Sequence, residues 1–392
     1  MVSLVRETND GMSKHLVFVG GGHAHLTALK NLSSFTKRGH SVTLISASAY
    51  HYYSGMGPGM LSGTYHPSEV RFHVKKMAEN QGAAFIEDKV VKIDALRRLL
   101  FLRSGGNVAY DVVSFNTGSE VPVASIASSE RGNIVTVKPV VNLLRAKHAV
   151  SEALQKGVTW NYVVIGGGPA GVEVCANLLR LLSVNRGKGK IVLIAGEKLM
   201  PGAPEKVRRL AFDSLTGRGV EIVEASFVKM IEQDKVNLTD GSTFDFNLAF
   251  VAIGIRPAPM FAESGLPTGP DGGLLVNAYL QSVAHPDMFA GGDCASLEGH
   301  TLAKVGVYAV RENPILFHNL KAALEGGEMM RFIPQPHYLL IFNMGDGRGI
   351  FWKKNWVWDG RLAFLLKDYI DRRFMKMFQV SGEREEMSDL IK

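Results

Sequence analysis

Gly166-Gly-Gly168-Pro169-Ala170-Gly171 sets three glycines at the spacing G-x-G-x-x-G, between the apolar run Asn161 to Ile165 and a stretch of helical character reaching about Leu182. In that setting each glycine has a task. The first permits a tight turn, the second lets a pyrophosphate approach the backbone, and the third lets helix pack on strand, while the helix N-terminus adds partial positive charge. A dinucleotide is the expected ligand of this turn. Earlier in the chain, Gly20-Gly-Gly22-His23-Ala24-His25 follows the apolar run His15 to Val19, with a histidine in the third-glycine position. Helix–strand packing is expected to loosen there.

The acidic residue that reads a ribose hydroxyl at the end of the second strand of such a unit is missing from both turns. Ile45 is followed by Ser46, whose hydroxyl is a weaker partner; the second unit offers Ala195, then Gly196 and Glu197, so neither NADH nor NADPH is specified. Farther along, Asp287-Met-Phe-Ala-Gly-Gly292-Asp293-Cys-Ala is an apolar strand ending in Gly-Asp, which resembles the second flavin fingerprint of the glutathione-reductase superfamily. In that superfamily the aspartate binds the ribityl chain of FAD. Val113-Ser-Phe-Asn-Thr117-Gly118 and Val251-Ala-Ile-Gly254-Ile-Arg-Pro257 resemble its two strand crossovers. Four fingerprints in the correct order are more specific than any one.

These residues need a strand, a glycine turn, a helix and a second strand, and the chain supplies that grammar twice, with Ser41 to Ile45 and Lys190 to Ala195 as the second strands. The expected fold is α/β: two interleaved Rossmann-like domains of glutathione-reductase type with a C-terminal amphipathic extension. The FAD-binding domain is placed at 1–120 and 266–330, the NAD(P)-binding domain at 121–265, and an interface segment at 331–392. Segments such as Ala83 to Ile93, Leu99 to Val113 and Lys235 to Phe250 read as small β-meanders. With 392 residues and 46% hydrophobic content the chain can bury large cores without staples. Cys175 and Cys294 are its two cysteines, too few and too far apart for a disulfide framework or a metal site. The first fourteen residues lack the long apolar core of a signal peptide, and no apolar stretch reaches the roughly 18–20 residues of a membrane span. The net charge of +7 fits anionic cofactors in basic clefts or an acidic membrane surface, and nucleic acid is not an expected partner. The expected location is cytoplasmic, with peripheral attachment to the inner face of the membrane left open.

The sequence resembles FAD-dependent pyridine nucleotide oxidoreductases related to type II NADH dehydrogenases, including those fused ahead of selenophosphate synthase. The resemblance covers nearly the whole chain through Val19-Gly-Gly-Gly-His-Ala-His25, Tyr53-Ser-Gly-Met56-Gly-Pro58-Gly59, Val137-Lys-Pro139, Lys304-Val-Gly-Val-Tyr-Ala-Val-Arg311 and Trp358 through Met375. It implies FAD, NADH or NADPH, and a histidine at the third-glycine position as a family feature. It also implies that Met56, Pro58 and Val90 join the flavin site, with Tyr53 to Gly59 as the loop beside the flavin. Departures bear on the acceptor. Residues 1–174 contain no cysteine, which excludes dithiol chemistry, and Val307 and Glu312 stand where the paired-glutamine quinone motif is expected. Electrons then pass from NAD(P)H through FAD to a quinone or another small acceptor. The competing reading is an electron-transfer or redox-sensing flavoprotein acting on a protein partner.

Hydride transfer asks mainly for stacking of the nicotinamide on the flavin and stabilisation of charge on the reduced ring. Glu173 either faces the nicotinamide, as the resemblance implies, or is a first-turn carboxylate stabilised by the helix dipole. Lys304 either sits beside the flavin pyrimidine or is solvated. His23 and His25 either contact FAD phosphate or pack at the helix start, and Cys294 reads as a packed small residue. In the C-terminal segment Leu362, Leu366, Ile370, Phe374 and Phe378 recur at spacing four beside Leu365, Tyr369 and Met377, flanked by Arg361, Lys367, Arg372 and Lys376. One apolar helical face is expected over 361–378, resting on a membrane surface, the FAD domain or a homodimer partner.

Overall fold

The computed structural model describes residues 13–123, 126, 132–232 and 234–383. Two five-stranded parallel sheets form its frame, one in each of two compact units. The first unit takes the chain through His51, then His73–Ser119 and Pro257–Pro334; the second takes Tyr52–Phe72, Glu120–Arg256 and the chain from Gln335. The C-terminal segment and the Tyr53–Gly59 loop therefore belong with the second glycine turn.

In the first unit His15–Val19 is central, with Ser41–Ser46 and Ala84–Glu87 on one side and Val112–Phe115 and Met288–Ala290 on the other, all parallel. Leu16, Val17 and Phe18 are fully buried, which explains a continuous apolar run without alternation. Strand order reverses between His15–Val19 and Val112–Phe115, and ligands of open α/β sheets bind outside the carboxyl ends at such a switch point. The segment after the first turn begins as a 3₁₀ turn, His23–His25, and becomes α-helical only at Leu26–Lys30. A long helix, Gly306–Glu325, closes this unit, burying Leu316, Leu320 and Leu324 at spacing four; it starts two residues beyond Lys304. Val90–Asp94, Leu99–Leu102 and Asn107–Ala109 form an antiparallel meander.

The second unit repeats the plan around Trp160–Ile165, with Gly189–Gly196 and Glu221–Glu224 on one side and Leu248–Val251 and Ile134–Thr136 on the other. Its turn feeds an unbroken helix, Pro169–Val184, and Val228–Glu232, Lys235–Leu238 and Thr243–Asp245 form its meander. Leu340–Asn343, Gly349–Lys353 and Trp356–Gly360 form a further antiparallel sheet, followed by the helix Arg361–Phe378.

That last helix departs from the expected single apolar face. Ala363, Lys367, Asp371, Met375 and Phe378 are buried, whereas Leu362, Leu365, Tyr369 and Met377 are exposed, Leu362 by 72%. The reason is geometric. A row at spacing four drifts about 40° per step, so five members from Leu362 to Phe378 sweep about 160° around the axis. Phe374 and Phe378 end against Phe72, with ring centroids 6.1 and 6.5 Å away, while the start of the row points outward. Lys367, expected on the basic flank, lies inside.

Candidate functional site

The first glycine of each turn is dictated by the neighbouring strand. Gly20 (φ +89°) donates its N–H to the Ile45 carbonyl at 2.8 Å, and a Cβ there would strike the Asn116 carbonyl. Gly166 (φ +123°) does the same with Ile194 at 2.8 Å and the Ala252 carbonyl. Positive φ and backbone contact together leave no room for a side chain.

Around the first turn, Asn116 binds three segments. Its N–H donates to the Val19 carbonyl at 2.8 Å, its Oδ1 accepts from Ala24 N at 3.0 Å, and its Nδ2 donates to the Gly291 carbonyl at 2.6 Å. A Cβ on Gly22 would collide with the same carboxamide. His25 is fully buried, Nδ1 donating to the Gly20 carbonyl at 2.6 Å and Nε2 accepting from Ser114 Oγ at 2.8 Å. Burial lowers its pKa to about 4 against the opposing pull of the Gly20 carbonyl, so the ring is neutral and this tautomer follows. Of the two readings left open for His25, the packed one describes its side chain. His23 packs edge-on against His51, Nδ1 lying 3.2 Å from His51 Nε2.

Beyond the fingerprint strand, Asp293 accepts from Ser119 Oγ at 2.7 Å, and Glu312 takes the Gly292 N–H at 2.5 Å. Burial pushes the Glu312 carboxyl up to about 7, partly offset by that hydrogen bond and by Lys304. Lys304 is not solvated: its Nζ donates to the Ala295 carbonyl at 2.6 Å and pairs with Asp271 at 2.7 Å. Gly292, Asp293, Lys304, Tyr308 and Glu312 line a small cavity of about 20 Å³. An aspartate anchored by Ser119 beside a lysine held by Asp271 fits the hydroxyls of a ribityl chain. Thr117 is exposed at the adjoining crossover and Gly118 has φ +73°; Ser46 Oγ donates to the Ser48 carbonyl at 3.0 Å, and Val90 is buried in the meander. Cys294 is buried, and burial raises its thiol pKa.

At the second turn a Cβ on Gly171 would run into the Gly166 carbonyl, whereas one on Gly168 would meet nothing within 4 Å. Gly168 caps Pro169–Val184 without a side-chain bond, Pro169 and Ala170 are exposed, and Gly254 is open. An open glycine before an uncapped helix of 16 residues fits a pyrophosphate. Gly196 (φ +73°) ends the second strand.

The second unit also contains a charged cluster that the sequence did not disclose. Glu173 Oε1 accepts from Asn343 N at 2.7 Å; Lys367 Nζ donates to Asp371 Oδ2 at 2.7 Å and to the Gly55 carbonyl at 2.7 Å; Tyr53 Oη donates to Asp371 Oδ1 at 3.0 Å. Burial pushes Glu173 up to about 7, with Lys367 and the Asn343 N–H pulling down and Asp371 pulling up. Burial opposes the Lys367 charge, but Asp371 and Glu173 prevail and raise its pKa. Met56 and Pro58 are buried in the same stretch as Gly55. The signal in sequence was the Lys367–Asp371 pair at i,i+4. No cluster of metal-binding side chains occurs among the described residues.

Residues 14–314 match the family described as Pyridine nucleotide-disulphide oxidoreductase. Ferroptosis suppressor protein 1 of Xenopus laevis is 27% identical over 86% of this chain and 89% of its own. The mitochondrial external alternative NAD(P)H-ubiquinone oxidoreductase B2 of Arabidopsis thaliana is 23% identical over 72% of this chain and 54% of its own. Among solved structures, NDH2 of Plasmodium falciparum in complex with NADH superposes with a TM-score of 0.77 at 13% identity, over 95% of this chain and 98% of that one. The chain is an FAD-dependent NAD(P)H oxidoreductase of Rossmann-like architecture, with FAD and NADH or NADPH as cofactors. It belongs to the pyridine nucleotide-disulphide oxidoreductase family and is type II NADH dehydrogenase-like.

Proposed function

We propose that this oxidoreductase delivers electrons to a quinone or a similar small, lipid-soluble acceptor, at a membrane surface and without a redox-active disulfide. The observation that carries the reading is the Arg361–Phe378 helix, which buries Lys367 and Asp371 and turns Leu362, Leu365, Tyr369, Ile370 and Met377 outward. Arg361, Arg373 and Lys376 are exposed on the same helix, and Trp356, 74% exposed, stands beside Lys353 and Lys354 on the preceding hairpin. Apolar and aromatic side chains rimmed by cations suit an anionic interface, each cation adding about 1 kcal/mol near such lipid. No helix among the described residues is long and apolar enough to cross a membrane. Both cysteines are buried with raised thiol pKa values, which disfavours the thiolate a relay would need. The Arabidopsis relative carries ubiquinone in its name.

FAD, bound at the Gly20–His25 turn and Asp293, would supply the two-electron chemistry that links NAD(P)H to the acceptor. In this reading Gly20, Gly22, Ala24, Thr117, Gly118, Gly292 and Asp293 hold the flavin, His23 and His25 shape its turn, and Ser46 and Val90 complete its surroundings. Gly166, Gly168, Pro169, Ala170, Gly171, Gly196 and Gly254 hold the nicotinamide cofactor. Lys304, fixed by Asp271, adds positive charge to the cavity wall. Glu173, with a pKa of about 7, exchanges a proton in the range where a reduced quinone needs one.

The test replaces Leu365 and Tyr369 together by Glu, both on the exposed face. Anaerobic flavin reduction by NADH should be unchanged, sedimentation with phosphatidylglycerol vesicles should fall at least tenfold, and turnover should drop for long-chain but not water-soluble quinones. Vesicle binding by the wild type should also weaken with salt. Undiminished vesicle binding in the variant would refute the membrane reading and favour a protein partner or a second copy on this face.

A further inference from the structure

The second sheet ends in a surface that bears on how this chain holds the adenosine half of its nicotinamide cofactor. Gly189–Gly196 lies beside Trp160–Ile165, and Ala195 is packed on the middle glycine of the turn: a Cβ on Gly167 would lie 2.6 Å from the Ala195 carbonyl oxygen and 2.8 Å from its Cβ. Residue 195 therefore fills the position from which an acidic side chain would accept a ribose hydroxyl, and it offers a methyl group. Glu224, at the end of the next strand, cannot substitute. Its Oε1 takes Leu199 N at 2.6 Å, and Arg208 Nη2 contacts both its oxygens, at 3.1 and 2.9 Å.

Phe227 lies at the same edge. Its ring is 57% exposed, and its Cε1 and Cδ1 lie 3.3 and 3.5 Å from where a Cβ of Gly196 would be. The backbone beneath is fixed: Ser226 bridges Gly196 in antiparallel fashion, Phe227 N donates to Thr239 Oγ1 at 3.1 Å, and Thr239 N donates to the Phe227 carbonyl at 2.9 Å. An exposed ring on a fixed backbone, beside Gly196 at the carboxyl edge of the sheet, has the chemistry of a stacking platform for a purine.

We propose that Phe227 holds the adenine of the nicotinamide cofactor, and that Ala195 leaves the ribose 2′ position unread, so that NADH and NADPH are bound alike. The inference rests on the NAD(P)H reading of the Gly166–Gly171 turn. Affinity for the adenosine half then comes from stacking, which is indifferent to a 2′-phosphate, instead of from a carboxylate that would repel one.

Calorimetric titration of the FAD-loaded protein with ADP-ribose and 2′-phospho-ADP-ribose tests this without any hydride transfer. The wild type should bind the two within about threefold of each other. Phe227→Ala should weaken both by about tenfold, Phe227→Tyr should restore them, and Phe227→Leu should restore them poorly. Flavin reduction at saturating NADH should be retained in all three variants, with the loss confined to KM. Unchanged affinity in Phe227→Ala, equal rescue by Leu and Tyr, or a tenfold wild-type preference between the two ligands would overturn the proposal. Failure of the underlying reading looks different, since wild-type flavin would then be reduced by neither NADH nor NADPH.

Discussion

His25 donates from Nδ1 to the Gly20 carbonyl at 2.6 Å, and in the second turn the corresponding carbonyl, that of Gly166, is the atom against which Gly171 must present no Cβ. The two turns solve one packing problem in opposite ways. One removes the side chain and keeps an α-helix; the other inserts a ring, hydrogen-bonds it, and accepts a 3₁₀ turn over His23–His25. Replacing His25 by Ala leaves the Gly20 carbonyl and the Ser114 hydroxyl without their buried partner. The expected loss is about 2–4 kcal/mol, seen as a lower unfolding midpoint and reduced FAD content. An unchanged midpoint would show that the strut is dispensable.

The same histidine sets a pH dependence. Its folded pKa is about 4 against an ordinary value of 6.5, so below 6.5 the unfolded chain takes a proton that the native ring refuses. Stability should therefore fall as pH drops from 6.5 towards 4, by up to about 3 kcal/mol from this group. Urea unfolding of wild type and His25→Gln at pH 7 and pH 5 checks it. The variant should lose less stability between the two values than the wild type does.

Asn116 offers a donor to the Gly291 carbonyl and an acceptor to Ala24 N. Asn116→Asp keeps the acceptor but sets a carboxylate oxygen against the Gly291 carbonyl. The variant should bind FAD at least tenfold more weakly, as read by flavin fluorescence on dilution. Full retention would mean that the crossover does not position the Gly292–Asp293 fingerprint.

Much of the frame was legible because glycine spacing, strand length and strand exit are local. The doubled strand–turn–helix pattern, the loosened first helix and the helix over Arg361–Phe378 all follow from neighbours in sequence. What escaped depends on partners far away along the chain. Asn116 lay inside a recognised crossover, yet its importance comes from Ala24 and Gly291, and Lys367 reads as a surface lysine until the Gly55 carbonyl and Asp371 surround it. Glu312 read as a departure from a quinone motif, and its bond to Gly292 N appears only once the Gly306–Glu325 helix is in place.

Glu173 carries a carboxyl raised to about 7 by burial. If it hands a proton to the reduced acceptor, turnover should rise as pH falls through about 7, because the protonated form is the donor. Glu173→Gln should flatten that limb and lower kcat at least tenfold, with little change in anaerobic reduction by NADH. A pH profile identical to wild type would assign Glu173 to holding Asn343 N alone.

In the proposed reaction electrons reach the acceptor from the flavin itself. Stopped-flow measurement on the Cys175→Ala, Cys294→Ala double variant tests it most directly, mixing protein reduced anaerobically by NADH with a water-soluble quinone and then with a long-chain quinone in vesicles. The flavin should be reoxidised by both within twofold of the wild-type rates. Normal reduction by NADH followed by loss of reoxidation would contradict it and place a thiol on the electron path.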